Sequence, residues 1–111
     1  MESAFYKLEI FVPQTAFAAV QQALAGVDAG HIGRYAQCLS VTPVTSWWLP
    51  LDGAHPYLGE PNRLSCEPEL KVEVCCRAAA LARTLAAVKA VHPYEEPVIN
   101  VLPLAGTGLP D

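Results

Sequence analysis

Twice in this chain, a segment of alternating apolar residues is followed directly by a segment with helical spacing, and this repeat strongly limits the folds open to it. In the first unit, residues 5–12 alternate as in a half-buried strand, and apolar residues then recur at helical spacing over 17–27. In the second unit, residues 70–77 alternate and residues 78–91 have the helical spacing. The sequence thus predicts two strand-helix units.

Two further strands are predicted, at residues 36–47 and 97–102, with Pro43 interrupting the first of them. The element order is then β-α-β-β-α-β in a single domain spanning residues 1–111. We expect an α+β, ferredoxin-like βαββαβ fold, in which a four-stranded antiparallel sheet carries both helices on one face. The other sheet face is left uncovered, so it must meet water, an extra segment or another copy of the chain.

The chain is poor in charge for its size. Of its 111 residues, 52% are hydrophobic and 16% are charged, against about a quarter charged in a typical domain. This composition favours apolar surface covered by another subunit, although a different partner protein or alanine-rich helices would produce it as well. The net charge is −4 and the seven Lys and Arg residues form no cluster, so we expect no nucleic-acid partner.

We expect a cytoplasmic protein without a membrane partner. No apolar run has the roughly twenty residues that a membrane helix needs, and the first residues show no signal-peptide pattern. The cysteines show no C-x-x-C spacing, so we expect free thiols in a reducing compartment rather than disulfides or a zinc knuckle. They are Cys38, Cys66, Cys75 and Cys76.

The polar stretch that joins the second helix to the last strand is the first candidate for a site; its sequence is His92-Pro93-Tyr94-Glu95-Glu96-Pro97. Pro93 disfavours the helical conformation at His92, and Pro97 lacks an N–H and suits the start of a strand. Polar side chains held in such a connector lose less entropy when they bind a ligand. The alternative is a rigid helix-to-strand turn whose carboxylates meet solvent or basic neighbours.

Two other segments are candidates as well. The connector 28–35 places His31 between Gly30 and Gly33, which allow unusual backbone angles. Residues 48–68 form a long irregular segment that follows directly on Trp47 and begins with Trp48. Long loops in compact domains are usually functional or packed against a partner.

Four groups of residues, in this order along the chain, carry a family signature: Phe11-Val12-Pro13, then Gly30-His31-Ile32-Gly33 with Tyr35 and Cys38, then Pro56-Tyr57 with Gly59-Glu60, then His92 to Pro97. Together they resemble the YqfO-type domain, the small domain inserted in Nif-three-like proteins and also found alone. The last group also resembles the HPYE-P motif of CutA, the trimeric divalent-cation-tolerance protein related in shape to the PII signalling proteins. The resemblance implies a ferredoxin-like fold and a homotrimer with the sheets facing inward.

The resemblance implies little about chemistry. In two-domain Nif-three proteins the dinuclear metal site belongs to the flanking domain, so neither that centre nor a hydrolase activity is carried over to this chain. The ligand-binding candidates are His31, Tyr35, Cys38, His92, Tyr94, Glu95 and Glu96. Among them His31, His92 and Glu95 suit a divalent metal ion, and we expect both histidine connectors to lie at the same edge of the sheet.

Three hypotheses of function follow. The first is a trimeric binding or regulatory module for a divalent metal ion or small ligand in the clefts between subunits. The second is a structural or partner-docking module without a ligand, with the Trp47 and Trp48 loop as its contact. The third is a cryptic hydrolase, for which no catalytic residue is assigned because no nucleophile elbow or phosphate-loop pattern is present.

Overall fold

The computed structural model describes residues 3–108; residues 1–2 and 109–111 of the predicted domain lie outside the described part. The elements are β1 (Phe5–Val12), α1 (Phe17–Gly26), β2 (Ser40–Trp48), β3 (Ser65–Arg77), α2 (Leu81–Val91) and β4 (Ile99–Leu104), with 3₁₀ turns at Gln14–Ala16 and Ala78–Ala80 before the helices. All strand pairs are antiparallel and the sheet order is β2-β3-β1-β4. The expected α+β ferredoxin-like fold is confirmed. Over residues 3–108, no helix has the length and apolar character needed to cross a bilayer.

The hydrophobic core lies between the sheet and both helices. Alternate residues of the two central strands, β1 and β3, point to one face and meet the apolar stripes of α1 and α2. Each of these fully buried aliphatic side chains stabilises the fold by roughly 1.5–3 kcal/mol. The cluster includes Leu8, Ile10, Val12, Val20, Leu24, Val72, Val74 and Val88.

Strand β3 is longer than the predicted segment 70–77, and its buried face changes along its length. Val72 and Val74 are buried on the face that carries the helices, whereas Ser65 and Glu69 are buried on the opposite face. The pairing of β3 with β2 continues without a break, so side chains keep alternating between the faces. The helices therefore cover one face of the second half of β3. Other parts of the chain cover the opposite face of its first half.

The covering segment is the irregular loop at residues 49–64, which contacts the sheet at Ser65. Gly59 has φ +96° and packs so closely on the Ser65 side chain that a Cβ there would overlap with its hydroxyl. Part of the uncovered sheet face therefore meets an extra segment of the same chain, one of the three arrangements that the sequence left open.

Strand β2 begins at Ser40 rather than at residue 36, because the residues before it are held in the connector. Gly30 N donates to the carbonyl of Cys75 at 2.8 Å, and Cys38 N donates to the carbonyl of Gly30 at 3.0 Å. The first bond fastens the connector to β3, and the second holds Cys38 against Gly30. Strand β2 therefore begins only after these residues.

The four cysteines are free thiols in the structure, in agreement with the expectation from their spacing. Cys76 is buried in the core, whereas its neighbour Cys75 pairs with Lys7 on the face away from the helices. Because adjacent strand residues point to opposite faces, the two sulfur atoms cannot meet.

Candidate functional site

The stretch 92–97 lies at one end of the sheet, where α2 connects to β4. His92 caps α2, with its N–H donating to the carbonyl of Val88 at 2.9 Å and its ψ angle extended at 130°. This is the conformation that a following proline imposes. The prediction that the helix ends at His92 is confirmed.

Both ring nitrogens of His92 are used in hydrogen bonds. Nε2 lies 2.7 Å from the carbonyl oxygen of Phe11, and Nδ1 lies 3.2 Å from the N–H of Tyr94. A carbonyl only accepts and a backbone N–H only donates, so the ring is neutral with its proton on Nε2. Burial lowers the pKa of His92 and favours the same neutral form. His92 therefore fastens the stretch to β1 and has no free nitrogen lone pair for a metal ion.

Tyr94 reaches from the stretch to β3. Its hydroxyl donates to Oε2 of Glu69 at 2.5 Å, and Glu69 is only 4% exposed. Burial, together with the Glu69 carboxylate, raises the pKa of Tyr94 well above its usual value, so the hydroxyl stays protonated as a donor. The Tyr94 ring also lies 5.8 Å from that of Trp48 and 6.1 Å from that of Tyr57, between ring centroids.

These contacts border an open groove of about 830 Å³ on the sheet face away from the helices. Phe11 and Glu69 form part of its floor, and the N–H of His55 in the loop donates to Oε1 of Glu95 at 2.8 Å across its side. The lining residues are Phe11, Ser46, Trp47, Trp48, Leu49, Pro50, Leu51, Asp52, Gly53, Ala54, Pro56, Tyr57, Leu58, Glu69, Tyr94, Glu95, Glu96 and Val98.

The second predicted connector lies at the other end of the sheet, so the expectation that His31 and His92 share an edge was wrong. Each helix does return to the end where its preceding strand began, but β1 and β3 are antiparallel and begin at opposite ends. The His31 connector is bonded near Cys75, which pairs with Lys7, whereas His92 is bonded to Phe11. The four residue steps from Lys7 to Phe11 separate these points by roughly 13 Å along β1.

The side chain of His31 is exposed and bonded locally. Nδ1 lies 3.0 Å from Oδ1 of Asp28, and Nε2 lies 2.9 Å from the carbonyl oxygen of Gly33. Two acceptors favour the doubly protonated ring, and the bond to Asp28, followed by that to Gly33, raises the pKa of His31. In this arrangement the imidazole offers no lone pair to a metal ion.

The seven sequence-predicted candidates therefore divide into two separate groups. His31, Tyr35 and Cys38 belong to one end of the sheet, with Tyr35 73% exposed and the Cys38 thiol 3.9 Å from the carbonyl of Ala36. The stretch contributes His92, Tyr94, Glu95 and Glu96 at the other end. Across residues 3–108, no three His, Cys, Asp or Glu side chains are grouped so that they could hold a metal ion.

Two acidic residues of the groove, Glu69 and Asp52, are not among the candidates that the sequence predicts. The predicted irregular segment ends at Pro68 and the predicted alternation of β3 begins at Leu70, so Glu69 falls between the two. Continuing the alternation backward from Lys71 would have placed Glu69 on the uncovered face. No sequence signal marked Asp52, because only the folding of the loop brings it to the groove.

The chain is similar to one part of longer proteins. It is 37% identical over 105 residues to a protein of Halalkalibacterium halodurans, and 41% identical over 98 residues to one of Mycobacterium leprae, both named GTP cyclohydrolase 1 type 2 homolog. These matches cover 95% and 88% of this chain but 28% and 26% of the relatives. The chain thus spans about a quarter of the length of the curated relatives that it matches. No family model matches it.

Solved structures give the same result. A Bacillus cereus protein related to NIF3 matches 96% of this chain and 27% of its own, with a TM-score of 0.82 and 29% identity. The resemblance to the Nif-three-like small domain is confirmed. The periplasmic divalent cation tolerance protein CutA of Archaeoglobus fulgidus matches at a TM-score of 0.68 and 19% identity, over 93% of this chain and 86% of its own. That likeness confirms the predicted relation in fold.

We predict that Tyr94→Phe lowers the free energy of unfolding by about 1–3 kcal/mol, because it leaves the buried carboxylate of Glu69 without its donor. Urea unfolding measures the change. Tyr57→Phe is the matched control, since Tyr57 borders the same groove but is 53% exposed. Equal effects of the two substitutions would contradict a stabilising role for the Tyr94 hydroxyl.

We also predict that His92 makes the fold less stable as the pH falls. Its pKa in the folded chain lies below 6.5, so under acid the unfolded chain takes up a proton that the folded chain does not. The contribution is complete above about pH 6.5 and is lost as the pH falls toward the lowered pKa. The unfolding free energy at pH 7.5 minus that at pH 5.5 should therefore be smaller, counted with its sign, in His92→Gln than in the unmodified chain.

His31→Gln is the control for the direction of this effect. In the unmodified chain the pKa of His31 is raised, so His31 stabilises the fold below about pH 6.5. That contribution is lost as the pH rises through the raised pKa. The two substitutions should change the pH dependence in opposite directions. Parallel curves for His92→Gln and the unmodified chain would show that His92 does not titrate as described.

Proposed function

We propose that this chain is a self-assembling binding module that holds a small organic ligand in the groove beside Tyr94. The observation that carries the proposal is the groove itself, whose lining combines aromatic and aliphatic side chains with four carboxylates. Its volume of about 830 Å³ falls within the roughly 300–1,000 Å³ typical of small-molecule sites. The name of the relatives belongs to much longer proteins, of which this chain covers about a quarter, and the proposal concerns only the groove in this chain.

The groove is organised before any ligand arrives. The bond from Tyr94 to Glu69 holds the stretch on the sheet, and the bond from His55 to Glu95 holds the loop on the stretch. Side chains and loops that are already ordered lose less entropy on binding. This preorganisation supports a binding role over that of a simple helix-to-strand turn.

An organic ligand fits these residues better than a metal ion does. His31 and His92 lie at opposite ends of the sheet, and both nitrogens of each ring are bonded within the chain. A bound metal would have to break such bonds to gain an imidazole ligand. Aromatic faces and an open apolar wall instead favour a carbon-containing molecule.

The assembly we propose is a homotrimer with the open sheet faces turned inward. On this open face the edge strand β4 exposes an apolar side chain, since Leu102 pairs with Lys7 and is 38% exposed. Outside the groove, Lys7 lies 2.7 Å from Glu73 and Lys71 lies 3.3 Å from Glu9, so these four charges on the open face compensate one another. A neutral set of paired charges is less costly to cover with another subunit than an unpaired charge.

The ligand proposal predicts that members of a fragment library shift the indole N–H signal of Trp48 in nuclear magnetic resonance spectra of the full chain. Tyr57→Ala, which removes a groove wall, should weaken this binding about tenfold or more. Tyr35→Ala is the control, because it removes another exposed tyrosine, 73% exposed against 53% for Tyr57, at the far end of the sheet. A Trp48 signal unmoved by every fragment would refute the ligand proposal.

The assembly proposal predicts a mass of about 36 kDa by light scattering, three times the 11.9 kDa of one chain. Leu102→Asp should dissociate the trimer, because it places an unpaired carboxylate in the contact. Val91→Asp is the control: Val91 is 39% exposed, close to the 38% of Leu102, but lies at the end of α2. A concentration-independent mass near 12 kDa would exclude the trimer.

A partner-docking module is the second candidate, favoured by the apolar exposure of the loop. Trp47, Leu49, Leu51 and Leu64 are each more than half exposed. Such a patch is typical of protein contact surfaces. If docking is the function and the groove takes no ligand, every fragment will leave the Trp48 signal unchanged.

A further inference from the structure

We infer that the ligand of the groove is a small organic cation, an amine or guanidinium compound. This inference rests on the proposed ligand-binding function and specifies its chemical class. Three observations support it: the charge of the lining, the burial of Glu69 and the arrangement of the aromatic rings.

All the charged residues that line the groove are negative. Among its lining residues are the carboxylates Asp52, Glu69, Glu95 and Glu96, and none is Lys, Arg or His. No ion pair within residues 3–108 involves any of these four. Asp52 accepts a hydrogen bond from the Asn62 amide and Glu95 accepts one from the His55 backbone, and neither of these donors carries a positive charge. An anionic ligand would be repelled here, and a cation would be attracted.

Glu69 carries the strongest part of this argument. It is 4% exposed, and Oε2 accepts the bond from Tyr94, while Oε1 has no hydrogen-bond partner among the described residues. No fully buried side-chain oxygen or nitrogen in that part of the chain lacks a partner, so Oε1 must remain open to solvent. A buried carboxylate without a cation nearby is costly, and a ligand ammonium or guanidinium group offsets that cost.

The aromatic rings offer a second kind of attraction for the same charge. The ring of Tyr94 is tilted by 50° to that of Trp48 and by 45° to that of Tyr57, so none of these pairs is stacked face to face. Ring faces attract cations within about 6 Å through their quadrupoles. Rings and carboxylates together select positive charge carried on an apolar frame, which distinguishes an organic cation from a hydrated metal ion.

The test uses three probes with one carbon frame: 2-phenylethylamine, 2-phenylethanol and phenylacetate, titrated into the full chain at pH 7 while the Trp48 indole signal is followed. We expect the amine to bind at least about tenfold more tightly than the alcohol, and phenylacetate not to bind. Raising the salt concentration should weaken amine binding and leave alcohol binding unchanged.

Substitutions that each remove one carboxylate charge show which residues attract the amine. Glu69→Gln keeps an oxygen that accepts the Tyr94 bond but removes the charge, and we expect a several-fold loss of amine affinity with the alcohol unaffected. Glu96→Gln, at an exposed position of the lining, should act in the same direction and carries the test if Glu69→Gln does not fold. Glu60→Gln is the control, because Glu60 lies in the loop at residues 49–64 that borders the groove but is not part of the lining.

The results separate this inference from the function on which it rests. Equal affinities for amine and alcohol, or equal losses in Glu60→Gln and Glu69→Gln, would overturn the cation inference while leaving a ligand groove. Failure of the amine to move the Trp48 signal would overturn it as well. The proposed ligand-binding function fails only if the whole fragment library also leaves that signal unchanged.

Discussion

The buried hydrogen bond from Tyr94 to Glu69 is the contact on which the groove depends. It joins the stretch after α2 to the middle of β3, and it fixes the tyrosine ring against Trp48 and Tyr57. The carboxylate is buried because the stretch and the loop lie over it, and they are held there in part because the carboxylate accepts this bond. Covering of the sheet and formation of the groove therefore support each other.

The order of the strands and helices could be predicted because each element has a local pattern of apolar residues. That pattern is clear wherever the helices cover the same face of the sheet. Along β1, and along β3 from Val72 onward, the helices cover the same face, so alternation in the sequence matches alternation in burial. Before residue 70 the cover passes to the other face, and apolar residues no longer mark the buried side. Ser65 and Glu69 are buried polar residues there, which is why the first part of β3 resembled a loop.

The candidate site was predicted in part, and the histidines explain the difference. Residue type identified His31 and His92 as candidate ligands, but a histidine is free to bind only if a ring nitrogen lacks another partner. Here the partners are Phe11 and the Tyr94 backbone for one ring, and Asp28 and Gly33 for the other. The hydrogen bonds within each connector join residues close in sequence. The bond between His92 and Phe11 instead spans 81 positions, so no rule of residue spacing could have predicted it.

The open sheet face has two regions with different surroundings, and this division bears on how binding and assembly combine. Phe11 and Glu69 belong to the groove, whereas Lys7 and Glu73 form the compensated charges roughly 13 Å farther along the central strands. The groove has unpaired negative charge and the other region has none. Paired charge is suited to a contact between identical chains, since each copy brings no net charge to it. Unpaired charge beside aromatic rings is suited to a mobile cation, so the two proposed roles would use different surfaces of the same strands.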